Sequence, residues 1–317
     1  TAGPVPTHPR GPGRSRCGGP PPALPRGRAG TGQFAPANGH APSAAWIQVL
    51  GSGGTLHADG NAGEIDYNGS STLLGYDFRF DNGFRVGVLG GLGRDDVQLP
   101  SRQSKGDINT RHVGLYAGQA WGGFGLRAGW GYAAHDVDGE RTIAFLGVQD
   151  RTRADYDADT RQAYIEGGYR WAAGAWEWEP YGQFAQVRTS SDDVVERGGV
   201  AALAGQVEDS RVNLATLGLR FNLNLKAAEQ KESWLSLRGG LGRRHASGDL
   251  SSTASLAWQG GGAFDVLGTP LAENANLAEV GLGARVSRNG LVELSYSGQF
   301  ADESRDHGMN ARYTLSF

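Results

Sequence analysis

Strict alternation of apolar with polar or small residues is the feature that most constrains this chain. In the C-terminal segment one face is apolar and consists of Met309, Ala311, Tyr313, Leu315 and Phe317. A period of two is typical of a β-strand that is apolar on one side only. The same alternation recurs upstream, in residues 72–80, 124–132, 217–224 and 292–300. The sequence therefore predicts an all-β fold.

The connections between these segments are of two kinds. Short turns are expected at 81–83, 122–123, 172–174, 226–232 and 288–290. Long polar segments are expected at 53–70, 94–108, 136–160, 189–210, 246–275 and 302–307. Short and long connections in strict alternation predict about twelve strands, an arrangement typical of bacterial outer-membrane barrels. We therefore expect a transmembrane antiparallel up-and-down β-barrel over residues 44–317.

Many charged residues fall opposite the apolar positions. We expect the following to line the lumen: Arg79, Arg85, Arg127, Glu166, Arg170, Glu177, Glu179, Arg220, Arg238, Glu279, Arg285, Glu293 and Arg312. A dry core would not accept so many charges, because each unpaired buried charge costs several kcal/mol. A water-filled lumen would accept them. The alternative is a soluble sandwich with these charges on its solvated face, but that fold does not explain why the short turns alternate with long loops.

Composition excludes several classes of protein. No stretch approaches the roughly 20 apolar residues of a membrane-spanning helix, and a net charge of −3 gives no basic field for nucleic acid. Residues 1–43 are rich in Pro, Gly and Arg and are expected to form a disordered linker. The chain does not start with Met and has no secretion signal, so we expect a processed or excised fragment.

Several short motifs, in order over about 270 residues, resemble the translocator domain of type Va autotransporters, the group of pertactin-like adhesins and serum-resistance proteins. They are Ala45-Trp46, residues 73–77 (LLGYD), 83–88 (GFRVGV), 175–181 (AWEWEPY), 278–283 (AEVGLG) and 312–317 (RYTLSF). The resemblance implies a twelve-stranded barrel in the outer membrane of a Gram-negative bacterium. It also implies an N-terminal passenger carried to the cell surface, with the linking segment threaded through the lumen as a helix.

The resemblance extends to partners. It implies that Tyr313, Leu315 and Phe317 form a C-terminal signal for the barrel-assembly machinery, with periplasmic chaperones acting beforehand. The lipid bilayer and the chain's own passenger are the other expected partners. The sequence departs from the family where the lumenal helix should lie, because Pro36, Gly39 and Pro42 disfavour a helix there.

Other functions remain as alternatives. A stand-alone porin or adhesin-like barrel would act through its surface loops. An omptin-like surface protease would use Asp95-Asp96 and Asp306-His307 to activate water, but the surrounding sequence does not match, and we expect no enzyme. We also expect no cofactor, no metal site and no self-cleavage, because no metal motif and no Asn-Asn pair occurs. The segment 246–275 is expected to contain a projecting β-hairpin around Gly260-Gly261-Gly262, which either assists passenger folding or is simply an exposed, antigenic loop.

Overall fold

The computed structural model describes residues 43–58, 63–145, 148–225, 234–258, 260–302 and 304–317. The strands are β1 Ala44–Leu56, β2 Ile65–Arg79, β3 Arg85–Leu99, β4 Ser104–Trp121, β5 Phe124–Phe145, β6 Val148–Tyr169, β7 Trp171–Ala173, β8 Trp176–Ser191, β9 Val194–Val195, β10 Leu203–Val207, β11 Ser210–Leu225, β12 Leu235–Gly248, β13 Thr253–Trp258, β14 Ala263–Leu267, β15 Asn274–Arg285, β16 Gly290–Phe300 and β17 Ser304–Ser316. A 3-10 turn, Pro100–Arg102, lies between β3 and β4. The expected linker, apart from Ser43, and the expected turn at 226–232 lie outside the described residues.

Twelve long strands close into one antiparallel barrel. Each pairs with its neighbour in the chain, and β8 pairs directly with β11. The ring is closed by β1 and β17, whose register places Ala44 opposite Ser316 and Leu56 opposite Ser304. Closure leaves no unpaired edge in the barrel, as a sheet immersed in lipid requires. The predicted fold class and strand number are confirmed.

The connections at one end of the barrel are tight. Only Gly122 and Gly123 separate β4 from β5, and residues 286–289 separate β15 from β16. Gly83, Gly122 and Gly174 have positive φ angles of 81°, 60° and 65°, a backbone region that glycine enters without strain. The predicted turns at these sites are therefore confirmed.

At the opposite end, several connections expected to be long are mostly strand. Strand β5 ends at Phe145 and β6 begins at Val148, so the loop predicted at 136–160 is wrong. Likewise, only residues 100–103 separate β3 from β4. The polar residues there alternate along paired strands. Glu140, for example, forms ion pairs with Lys105 and Arg151 on the neighbouring strands, at 3.0 and 2.6 Å. Polar character at this end marks strands that extend beyond lipid, and not irregular loops.

A second, four-stranded sheet is formed by the inserts between the later barrel strands, in the order β14-β13-β10-β9. Its β13–β14 pair is the hairpin predicted within residues 246–275 and is confirmed, with Leu256 opposite Phe264. Val207 packs against both the buried cluster of this sheet and a cluster formed by the barrel strands. The small sheet is thus joined by apolar contacts to the end of the barrel away from the tight turns.

Candidate functional site

The outer face of the barrel is apolar and exposed. Each of the twelve barrel strands contributes at least one large apolar side chain to it: Ile47, Leu74, Val88, Leu115, Trp130, Ile165, Phe184, Leu217, Leu241, Val280, Leu294 and Met309. Leu217 and Met309 are 73% and 70% exposed. A continuous exposed apolar band marks a surface that contacts lipid or a partner. Its ring-shaped distribution around a closed barrel fits lipid.

Aromatic side chains gather at the tight-turn end of this band. Phe80 and Phe84 flank the β2–β3 turn with ring centroids 5.8 Å apart, and Trp121 stacks on Phe124 across the next turn at 6.1 Å. Aromatic rings prefer the interface between hydrocarbon and headgroups, since one end of that interface is apolar and the other is wet. The tight turns therefore lie at one membrane boundary.

The inner face, formed by the alternate residues, carries a buried ion-pair network near the tight-turn end. Glu166 is 1% exposed and lies at its centre. It accepts hydrogen bonds from Arg127 at 2.7 Å, from both Arg220 terminal nitrogens at 2.8 and 2.7 Å, and from Gln183 at 3.1 Å. Both oxygens of this buried carboxylate are thus satisfied by charge-assisted hydrogen bonds, which are about twice as strong as neutral ones.

A second carboxylate extends the same network. Glu179 accepts hydrogen bonds from Arg127 at 2.7 Å and from Arg170 at 2.9 Å. The Arg220 guanidinium also lies 3.6 Å from the centre of the Tyr181 ring, a distance that fits a cation–π contact. Each carboxylate, one on β6 and one on β8, therefore has two guanidinium partners, which come from β5, β11 and the residue after β6.

Another polar cluster joins the first strands to the last. Asp77 forms a 3.1 Å ion pair with Arg85 and accepts a hydrogen bond from the Tyr116 hydroxyl. That hydroxyl accepts a 2.8 Å hydrogen bond from Trp46 Nε1, and the Arg312 guanidinium lies 4.4 Å from the centre of the Trp46 ring. The cluster therefore links β1 to β17 across the closing seam of the barrel.

Two inner-face glycines make room for these rings. A Cβ atom on Gly75 would lie 2.2 Å from the Trp46 ring, and one on Gly87 would lie 2.2 Å from the Tyr116 ring. Contacts under 3 Å do not occur, so any larger residue would displace the ring or the strand. At these two positions the group that lies over the glycine is therefore a side chain of the neighbouring strand.

The inner face is apolar toward the other end. One buried cluster there includes Val97, Ile108 and Val137 of the barrel strands, packed with Val194 of β9. Another includes Val187 and Leu214 and packs against residue 250, which precedes β13, and residue 271, which follows β14. The interior expected to be charged is therefore divided into a charged zone near the tight turns and an apolar zone where connecting segments fold inward.

Comparisons with known proteins agree with this architecture. The model of the autotransporter β-domain family matches residues 45–297. The chain belongs to the autotransporter β-domain family. Over 276 residues it is 32% identical to an extracellular serine protease of Serratia marcescens, with 86% of this chain and 26% of that protein aligned. The chain thus spans about a quarter of the curated relatives that it matches.

Solved structures share the fold at low sequence identity. The translocator domain of the autotransporter NalP from Neisseria meningitidis superposes with a TM-score of 0.69 at 15% identity, covering 87% of this chain and 88% of that one. The β-domain of the Bordetella autotransporter BrkA gives 0.68 at 20% identity, covering 87% and 100%. By its family match, this autotransporter β-domain is an outer-membrane translocator domain for passenger secretion in a Gram-negative bacterium.

The predicted lumenal residues of the autotransporter β-domain lie at alternate positions of the inner face, mostly in its charged zone. Arg238 pairs with Glu293. Arg79, Glu177 and Glu279 are half-buried. Arg285, at the end of β15, is exposed. The prediction missed the inner-face residues Trp46, Tyr116, Tyr181 and Gln183. Three of these are aromatic, and alternation alone assigns aromatic residues to lipid.

The residues of the alternative protease do not converge. Asp306 and His307 are successive residues of β17, and their side chains therefore lie on opposite faces of the sheet. The His307 ring contacts the Tyr296 hydroxyl on the outer face. Strands β1 and β2 separate β17 from β3, which carries Asp95 and Asp96. Within the described ranges no group of three His, Cys, Asp or Glu residues could hold a metal ion, and no helix could span a membrane.

Proposed function

We propose that the charged zone of the inner face is the path along which the passenger's C-terminal segment crosses the membrane, and that the closed barrel then anchors it there. The observation that carries this proposal is that the buried carboxylates of the inner face are paired with arginines. Glu166 and Glu179 each bind two arginines, so the zone is polar but its carboxylates are already satisfied. A polypeptide with its own polar backbone can pass such a wall without the penalty of contacting bare apolar surface.

Crosslinking tests this path with adjacent positions on opposite faces. Gln183 lies on the inner face beside Glu166, and Phe184 lies on the outer face, 50% exposed. In a Cys17→Ser background with an upstream passenger, a cysteine replacing Gln33 is paired with Gln183→Cys or with Phe184→Cys. A bismaleimide is then added during export. We expect a crosslink for Gln183→Cys only. Equal crosslinking of the Gln183→Cys and Phe184→Cys variants would refute the proposal. Export of the passenger without any crosslink to the Gln183→Cys variant would refute it as well.

We propose further that the barrel itself catalyses no reaction. The support is the separation of Asp306 from His307 described above, since general base catalysis requires the two groups within hydrogen-bond reach. A His307→Ala variant should hydrolyse surface-applied peptides no differently from the parent barrel. A loss of hydrolysis in this variant would show that the barrel is an enzyme.

The C-terminal residues Tyr313, Leu315 and Phe317 are proposed to form the signal for the barrel-assembly machinery, after delivery by periplasmic chaperones. Tyr313 and Phe317 are 38% and 61% exposed on the outer face, next to the seam between β17 and β1. Phe317 also stacks on Tyr76 at 6.2 Å, so its loss could act through stability alone. Deleting Phe317 should lower assembly in cells far more than refolding in detergent. A loss that is equal in both assays would contradict recognition.

The stand-alone porin remains the competing function. It requires an open channel, whereas Val194 of β9 is 3% exposed within the apolar zone of the interior. Planar-bilayer recordings of the purified chain distinguish the two, because a porin would show a large and steady conductance. We expect small or intermittent openings.

A further inference from the structure

Three arginines form a row on the outer face of the barrel. Arg161 of β6 lies directly opposite Arg188 of β8, and Arg188 lies directly opposite Arg211 of β11. All three side chains are exposed, Arg161 by 60%. Like charges placed directly opposite in a sheet are destabilising. A negatively charged group placed beside the three arginines would therefore stabilise the row.

The row lies at the upper boundary of the lipid-facing band. Counting outer-face residues from the tight-turn end, each of these arginines is the first charged residue on its strand. On β6 the preceding outer-face residues include Ile165, and on β8 they include Phe184. Because outer-membrane barrels keep their short turns in the periplasm, this boundary is the headgroup level of the outer leaflet.

On β3 and β4 the arginines at this boundary are neutralised by the protein, whereas the exposed Arg243 of β12 has no ion pair among the described residues. Arg94 of β3 forms a 2.8 Å ion pair with Asp107, and Arg111 of β4 forms a 2.8 Å ion pair with Asp136. Arg161 has a carboxylate partner of its own, Asp159 at 3.2 Å. Within the described residues no ion pair involves the side chains of Arg188 or Arg211. The positive charge of the row is therefore concentrated on β8 and β11.

The surface below the row is polar before it becomes apolar. Gln186 and Asn213 lie one outer-face position nearer the membrane on β8 and β11, and the Gln186 amide donates a 2.9 Å hydrogen bond to Asn213. Tyr132, opposite Arg161, adds a ring with its centre 6.0 Å from that guanidinium. Donors, amides and an aromatic ring at headgroup level fit a ligand that carries both phosphate and sugar hydroxyl groups.

We propose that Arg161, Arg188 and Arg211 form a binding site for the phosphate groups of a glycolipid in the outer leaflet. Guanidinium groups bind phosphate through two parallel hydrogen bonds, which is why arginine is preferred over lysine at such sites. Each basic residue near a membrane surface contributes about 1 kcal/mol to the attraction of anionic lipid. The site is independent of the lumen and of the passenger.

Matched double variants test the site in the purified full chain. Arg188→Gln with Arg211→Gln removes the two unpaired arginines, whereas Arg94→Gln with Arg111→Gln removes two that already have carboxylate partners. Binding of bis-phosphorylated lipid A is titrated in detergent and followed by native mass spectrometry, with dephosphorylated lipid A, phosphatidylglycerol and inorganic phosphate as comparison ligands. Heat-modifiable gel mobility confirms that each variant is folded, and the single variant Arg188→Gln serves if the double variant does not fold.

We expect phosphorylated lipid A to bind the parent, and the 188/211 variant to bind it about thirtyfold more weakly. The 94/111 variant should bind within about threefold of the parent, because its arginines already have protein partners. Dephosphorylated lipid A should bind weakly to all three proteins. Equal loss in the two double variants, or no loss in the 188/211 variant, would overturn the proposal. So would binding of phosphatidylglycerol or inorganic phosphate as tight as that of lipid A, which would indicate a non-selective anion site.

Discussion

Replacing Glu166 by Gln probes how far the buried network stabilises the barrel. The carboxylate is 1% exposed and accepts charge-assisted hydrogen bonds from Arg127 and Arg220. Without its charge, two guanidiniums remain close together with one fewer anion between them. Breaking a buried ion pair by removing one partner costs about 3–5 kcal/mol. Because Arg220 is 24% exposed, we expect the lower end of this range, about 3 kcal/mol.

The assay is urea unfolding of the barrel in lipid vesicles, read from tryptophan fluorescence. Asp136→Asn is the matched control, since it breaks an ion pair with Arg111 whose partners are 46% and 69% exposed. Exposed pairs contribute about 0–1 kcal/mol, so the control should change little. The double variant Glu166→Gln with Arg220→Gln should recover part of the loss, because it removes the uncompensated charge. Two results would refute the reasoning. One is a loss of unfolding free energy below about 1 kcal/mol for Glu166→Gln. The other is a double variant whose loss equals the sum of the losses of its two single variants.

Other predictions concern the two faces and the outer rim. Gly75→Val should prevent assembly, since its Cβ would lie 2.2 Å from the Trp46 ring; the folded fraction on heat-modifiable gels measures this. Leu217→Arg should destabilise the barrel by about 2–4 kcal/mol in vesicle unfolding, because this 73% exposed side chain faces lipid. Hydrogen bonding to the Asp155 carboxyl raises the pKa of Asp138. The pair therefore stabilises the folded state at low pH, where Asp138 is protonated, and destabilises it as the pH rises above the normal Asp range. Asp138→Asn should therefore stabilise the barrel at pH 7 by about 0.5 kcal/mol and have little effect near pH 3.

Alternation and turn chemistry were sufficient to predict the barrel. The turns at Gly83, Gly122 and Gly174 were readable because a positive φ demands glycine there. The strand extensions beyond the membrane were not readable, since Ile108 and Val137 stand among charged residues and resemble a polar loop. In the structure both are buried on the inner face. Period-two alternation persists there, but with charges on the outer face.

The pairing within the lumen could not be predicted, although most of its charged members could. Arg127 and Glu166 are 39 residues apart, and Arg220 and Glu166 are 54 apart. Which arginine meets which carboxylate depends on strand register, and a slip of one residue moves each side chain to the other face. The inward position of Tyr116 also depends on register, because the glycine that accommodates it, Gly87, is identified only once β3 and β4 are aligned.

The composition of the charged zone bears on how a chain could move along the proposed path. A site that conducts must bind its cargo strongly enough to admit it and weakly enough to release it. Glu166 and Glu179 are each occupied by two arginines, so neither presents a lone negative charge that would hold a basic passenger segment. A guanidinium carries donors and no acceptor, and Arg170 and Arg220 are 23% and 24% exposed. Such a wall favours brief hydrogen bonds to successive backbone carbonyl groups, which every passenger sequence supplies, over retention of any particular side chain.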